Sequence, residues 1–227
     1  MMIYQLPRGN LKKFPPVDTA EDDGLLAIEG TLTIPNLVLA YKSGIFPWPA
    51  EGLPLLWFAP PERGVLDFDE FHIPSRFQRD LKKVPFEFRM NTCFQDVMRL
   101  CAQAKNRKNQ KGTWITDEMI DAYTDLHQSG LALSFEAWHD GTLVGGMYGV
   151  WIKPFFAGES LFFKKTGASK FCLVKAVEWL KQQGTCWMDI QMVTPLLKSF
   201  GAKEIPREKY IQKLKSAIAA EGIKQEG

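Results

Sequence analysis

Leu143-Val-Gly-Gly-Met147-Tyr148-Gly-Val150, Phe156-Ala-Gly-Glu159-Ser160-Leu161-Phe162, Ala168-Ser169-Lys170 and Asp189-Ile190-Gln191 follow one another between Leu143 and Gln191. The first two runs, rich in Val, Phe and Gly, read as paired strands joined by a turn at Lys153-Pro154. Phe171, Val174, Val177 and Leu180 recur at helical spacing, which predicts an amphipathic helix from Ala168 to Gln183, stopped by Gly184. Cys186 to Gln191 reads as one further strand. Side chains alternate across a strand, so Trp187, Asp189 and Gln191 share a face, with the acid and the amide roughly 6–7 Å apart along it. An acid beside an amide, next to a strand carrying Glu159 among aromatics, is a candidate site.

The totals bound what surrounds it. At 227 residues and 45% apolar content, the chain suits one large domain, or a small lobe plus a main one. Only the tail from Glu221 reads as disordered. Lys and Arg number 28 against 26 Asp and Glu, a balance too even to imply a nucleic-acid partner by itself. Cys93, Cys101, Cys172 and Cys186 lack zinc-site spacing, and no run of apolar residues is long enough to span a membrane. A reduced, cytoplasmic protein is the expectation.

Outward from the centre, residues 1–23 read as an extended, proline-rich arm. A helix from Asn36 to Lys42 follows, with Pro35 at its first position, and then a short strand, Leu55 to Phe58. Phe46 and Trp48, in a proline-bracketed turn, suit either a plug between lobes or a stacking platform. A strand at Gly64–Phe68, a short basic helix from Ser75 and a strand at Pro85–Met90 come next. Arg76, Arg79, Lys82 and Lys83 on that helix, with Arg107 and Lys108 after the Cys93–Ala104 helix, form either a solvated face or a surface for phosphates. Thr116 is placed to cap a helix, and Ala132–His139 alternates into an Asp140-Gly141 hairpin turn. The layout is α+β: a small N-terminal lobe (1–65), then a mixed, mostly antiparallel sheet flanked by helices (66–227). His72, His127 and His139 are scattered and read as structural.

These residues carry a resemblance. Gly24-Leu-Leu-Ala, Ala40-Tyr41…Gly44-Ile-Phe-Pro-Trp48, Leu56-Trp57, Gly112-Thr-Trp114-Ile-Thr116, Ala122-Tyr123…Leu126-His127, the central stretch and Ser199-Phe-Gly-Ala202 follow the order and spacing of the bacterial leucyl/phenylalanyl-tRNA–protein transferases. Four positions depart from that pattern: Glu29 stands where Gly is usual, Leu133 and Leu196 where His is, and Phe163 where Ser is. The resemblance implies a GNAT-like, acetyltransferase-type main lobe. It also implies transfer of Leu or Phe, with Met as a further donor, from charged tRNA to an N-terminal Arg or Lys, which marks proteins for degradation.

The implied reaction is aminolysis of an ester that is already activated, so it requires no ATP, metal or other cofactor. By resemblance Trp48 and Trp114 hold the terminal adenosine, and Met147, Phe156, Leu161 and Leu173 belong to an apolar pocket that is otherwise plain core. Ser160 stands beside Glu159 in the substrate site, and Ser169 supports the site from behind. Asp189 and Gln191 are the catalytic candidates. Gln191 would accept a hydrogen bond from the amine, and Asp189 would orient the amine, Gln191 or the acceptor's cation. An unpaired carboxylate at Glu159 is costly to bury and needs the substrate's ammonium, a ribose hydroxyl or a structural cation. The basic residues would contact tRNA backbone, and a monomer is expected. The competing readings are an acetyl-CoA-dependent acetyltransferase, for which only the loop before Ser169 is a candidate phosphate cradle, and a binding module for N-terminal Arg or Lys without transfer.

Overall fold

A computed structural model describes residues 3–49, 52–81, 86–104 and 114–222. The arm read as extended is held down by pairing: β1 (Tyr4–Leu6) lies parallel to β2 (Leu25–Glu29), Tyr4 opposite Ala27. Helix α1 (Ile34–Lys42) starts two residues before the predicted position, because Thr33 caps it by accepting from Asn36 N and Pro35 falls in the first turn. Buried Asn36 then ties the arm to the helix, accepting from Leu11 N (2.7 Å) and donating to Gly9 O (2.9 Å). Strands β3 (Phe46–Pro47) and β4 (Leu56–Phe58) complete a four-stranded sheet of order β1-β2-β4-β3.

At β5 (Glu62–Asp67) the chain enters a second sheet. After it come α2 (Ser75–Leu81), β6 (Glu87–Met90), α3 (Phe94–Ala102), α4 (Asp117–Gln128), β7 (Ala132–His139), β8 (Thr142–Ile152) and β9 (Phe155–Phe163). The chain closes with α5 (Ala168–Gln182), β10 (Trp187–Gln191), α6 (Pro195–Lys198), β11 (Lys203–Pro206) and α7 (Arg207–Gly222). Strand order is β11-β5-β10-β9-β8-β7-β6, with every neighbour antiparallel except β9 and β10. This is the expected mixed, mostly antiparallel sheet flanked by helices. Thr116 caps α4 by accepting from Met119 N, and Asp140 and Gly141 both take positive φ in the β7–β8 hairpin.

The core lies on both faces of the large sheet. One cluster spans both sheets and includes Trp57, Tyr41, Tyr123, Tyr148, Val65 and Tyr210. The other packs α5 against the opposite face through Leu173, Val177, Leu180, Phe135 and Phe156. Burying each such large side chain is worth about 2 kcal/mol, so these clusters hold the sheet between its helices. Gly149 lets β8 and β9 close on each other at a bulge, where a Cβ would sit 2.3 Å from Ala157 O. Among the described residues no helix is long and apolar enough to cross a membrane.

Candidate active site

Strand β10 follows the α5 crossover and meets β9 through one register pair, Asp189 opposite Ala157. Alternation along β9 puts Glu159 on the face of Phe155 and Ala157, and alternation along β10 puts Asp189 on the face of Trp187. Gln191 then leaves the ladder: its φ is 58° and the pairing with β5 shifts between Asp189 and Gln191. For a side chain other than Gly, this left-handed backbone is strained and must be held by its surroundings.

Asp189 does the holding. Fully buried, it accepts from Gln191 N (2.8 Å) and Arg63 Nε (2.9 Å) on Oδ1, and from Arg63 Nη2 (2.7 Å) and Tyr210 Oη (2.8 Å) on Oδ2. Both oxygens are thus filled by the chain's own donors. Burial would favour loss of the Arg63 proton, but the Asp189 carboxylate outweighs it and keeps the guanidinium charged, above its ordinary pKa.

Glu159 is occupied on one side only. Its Oε1 accepts from Tyr41 Oη (2.8 Å) and Gln191 Nε2 (2.6 Å), while Oε2 is buried with no partner among the described residues. Tyr41 Oη in turn lies 2.5 Å from Tyr123 Oη. Burial pushes the Glu159 carboxyl up to about 8, against the opposing hydrogen bond from Tyr41. It pushes Tyr41, Tyr123 and Tyr210 well above the ordinary phenol value too. Gln191 is 5% exposed, and its Nε2 is committed to Glu159 Oε1. The site therefore holds a carboxyl that stays largely protonated near neutral pH, a carboxamide locked to it, and one carboxyl oxygen, Glu159 Oε2, without a partner among the described residues.

Trp48 and Trp114 lie together, ring centroids 5.4 Å apart at 33°, and both are half-buried. Phe46 is 6.0 Å from Trp48 and carries the Arg63 guanidinium 4.4 Å from its own ring centroid. Contacts thus run unbroken from the indoles through Phe46 and Arg63 to Asp189, Gln191 and Glu159. Met147, Phe156 and Leu173 are buried in the α5 cluster on the opposite face of the sheet, with Leu161 packed against it, and Ser160 is half-buried on β9. Ser169 is buried in the first turn of α5. Arg76 and Arg79 point outward from α2, which Phe77 anchors against Phe200. Lys82, Lys83, Arg107 and Lys108 lie outside the described residues.

Arg63, Tyr41, Tyr123 and Tyr210 complete the network without having been singled out from the sequence. A charged residue opening an apolar run, Arg63 before Gly64-Val65-Leu66, is the one signal that pointed there. Glu136, by contrast, is a structural anchor: its carboxylate accepts from Thr92 N (2.9 Å), Cys93 N (3.1 Å) and Ser134 Oγ (2.8 Å) at the start of α3. His127 stacks on Phe94 and bonds Ala132 O, in keeping with a structural role. Among the described residues no group of three or more His, Cys, Asp and Glu side chains is arranged to hold a metal ion.

Comparison with known proteins gives the chain a family. Residues 65–215 match the family model described as leucyl/phenylalanyl-tRNA protein transferase, and residues 30–61 match its N-terminal domain. A relative from Anaeromyxobacter sp. (strain Fw109-5), named leucyl/phenylalanyl-tRNA–protein transferase, is 44% identical over 96% of this chain and 92% of its own. One from Flavobacterium johnsoniae with the same name is 46% identical over 89% of this chain and 95% of its own. Among solved structures, L-PGS from Bacillus licheniformis aligns with 74% of this chain and 54% of its own at 15% identity and a TM-score of 0.42. The PaiA N-acetyltransferase of Thermoplasma acidophilum, in complex with coenzyme A, aligns with 43% of this chain and 74% of its own at 15% identity and a TM-score of 0.35. Each structural likeness concerns the fold alone.

Proposed function

The chain belongs to the leucyl/phenylalanyl-tRNA–protein transferase family of aminoacyltransferases, and on that footing we propose that it moves Leu or Phe from charged tRNA to the N-terminal Arg or Lys of acceptor proteins. The observation that carries this reading is the buried, unpartnered oxygen Glu159 Oε2, beside the Gln191 carboxamide in a site continuous with two paired indoles. Aminolysis needs such an acceptor, because an ammonium must lose a proton before it attacks.

In this reading the terminal adenosine stacks on Trp48 and Trp114, as base stacking on aromatics suits a single-stranded 3′ end. The amino acid's side chain enters where β9 and β10 cease pairing and meets Met147, Phe156, Leu161 and Leu173. Such an apolar recess separates Leu from Phe or Met weakly, since one methylene changes binding by only about 1–3 kcal/mol. The α-amine of the acceptor donates to Gln191 Oε1. Its surplus proton passes to Glu159 in its ionised form, a minor one near neutral pH; the carboxyl titrates near 8, as does a free α-amine, so the exchange is close to balanced. The nitrogen lone pair then forms the N–C bond at the ester carbonyl. The C–O bond to ribose breaks, the nitrogen's second proton goes to the leaving ribose oxygen, and Glu159 returns its own to solvent. Arg76 and Arg79 contact the tRNA backbone electrostatically. The enzyme acts as a cytoplasmic monomer, and its products are marked for degradation.

The test is incubation with Phe-charged tRNA and an Arg-initiated peptide. Transfer of Phe to that peptide, and none to an Ala-initiated one, is the expected result. Peptide binding without product would replace this reading with a non-transferring N-terminus binder.

A further inference from the structure

The Arg63 guanidinium touches both halves of the site. Its Nε and Nη2 form a two-pronged bond to Asp189, and Nη1 donates to Gly44 O (3.3 Å). Its faces lie against the rings of Phe46 (4.4 Å) and Tyr210 (4.7 Å), and the residue is 1% exposed. Gly44 and Phe46 belong to the turn that ends in Trp48. Gly44 takes a φ of 79° there, and a Cβ on it would come 2.4 Å from Ile211 Cδ1, so α7 presses that turn into place. On its other side, Arg63 fixes the carboxylate whose Oδ1 holds Gln191 N in the left-handed conformation. One planar cation thus sets where the indole platform begins and where the carboxamide ends.

We propose that Arg63, acting with Asp189 and Tyr210, is a positioning residue that holds the adenosine platform and the Gln191 carboxamide in one common geometry. This rests on the transferase reading above. Asp189 offers no free oxygen to a substrate, so its effect on the reaction runs through Gln191's backbone. A planar fork that bonds in two directions while stacking on two rings is a task for guanidinium, and a Lys ammonium cannot match it. Misplacing reacting groups by an ångström costs on the order of a hundredfold in rate, which sets the effect to look for.

Arg63→Ala leaves a slot walled by two rings and floored by a carboxylate, a shape that free guanidinium fills. At guanidinium concentrations well below denaturing ones, the variant's kcat for Phe transfer is expected to fall about a hundredfold without guanidinium and to recover at least about tenfold with it. Breaking a buried ion pair on one side strands a charge and threatens folding, whereas replacing both partners by apolar residues is tolerated. The double variant Arg63→Met/Asp189→Leu therefore keeps the question answerable if Arg63→Ala does not fold. It is expected to fold, at a melting temperature lowered by the acceptor that Tyr210 Oη and Gln191 N lose, to lose about a hundredfold in kcat and to show no guanidinium response. Arg63→Lys, with its charge kept, is expected to remain well below the parent. Guanidinium that raises the melting temperature of Arg63→Ala without raising kcat, or a folded double variant within about threefold of the parent, would overturn the proposal. Absence of transfer by the parent protein would refute the activity itself, a separate outcome.

Discussion

Replacing Glu159 with Gln removes a titrating proton while keeping a neutral side chain of the same shape. The Gln carbonyl accepts from Tyr41 Oη and Gln191 Nε2 as Glu159 Oε1 does. Burial raises the carboxyl from its ordinary 4.5 to about 8, and the hydrogen bonds from Tyr41 and Gln191 pull it down by less. Asp189 and the Arg63 cation beside it act in opposite senses, which leaves burial to decide the outcome. A shift of this size corresponds to roughly 5 kcal/mol, from about 1.36 kcal/mol per pH unit, with less expected as water reaches an ionised site.

The sign follows from which state holds the proton. Because the folded pKa is the higher one, the neutral acid favours folding. That contribution is complete below pH 4.5 or so, declines as pH rises, and is gone once pH passes about 8. Glu159→Gln has no such decline. Urea unfolding of both proteins from pH 5 to pH 8.5 should show the Gln variant gaining on the parent steadily, by about 2–5 kcal/mol in all. The difference isolates this group, since every other titration is shared. A difference that stays flat to within about 0.5 kcal/mol would mean Glu159 ionises in the folded protein as it does in water, and the buried, protonated site would be refuted.

Other perturbations separate chemistry from support. Trp114→Ala should weaken binding of charged tRNA by about 1–3 kcal/mol, roughly five- to 150-fold, with less effect on peptide binding; equal losses in two titrations would make it a packing residue. Gln191→Asn suits the left-handed backbone but shortens the arm, so kcat should drop at least about tenfold at unchanged melting temperature; full turnover would remove Gln191 from the chemistry. Glu136→Ala strands the donors at the start of α3 and should cost at least about 3 kcal/mol in urea unfolding. Glu136's own folded pKa lies below the ordinary value, so the stability it supplies is present above that value and lost as pH falls through the lowered one. Glu29→Gly relieves a φ of 66° and should stabilise by about 0.5 kcal/mol in urea unfolding, net of added unfolded-state entropy and of the exposed bond from Gln5.

What the sequence revealed and what it hid divide along one physical line. Period and punctuation are local, and they disclosed the β7–β9 meander, the α5 crossover and the Thr116 cap, because a strand or a helix end is specified within a few residues. Alternation also put Asp189 on the face of Trp187, but it could not foresee the left-handed turn at Gln191, which leaves the ladder. Partnership is not local. Asp189 reads as an acid beside an amide, yet its nearest charge comes from Arg63, brought alongside by an antiparallel register of β5 and β10 that pairs Val65 with Asp189. Tyr210 arrives from α7, where only Tyr210 and Leu214 are buried among the residues whose burial is described, too weak a stripe to announce a helix that closes the site. Spacing puts Tyr123 on the buried face of its helix, and Tyr41 is buried too; what spacing could not show is that their hydroxyls meet each other and end on Glu159. A buried hydroxyl must find an acceptor, and a buried carboxyl must find donors or keep its proton. That requirement, satisfied on Oε1 and left open on Oε2 among the described residues, separates Glu159 from the fully bonded Glu136 only two strands away.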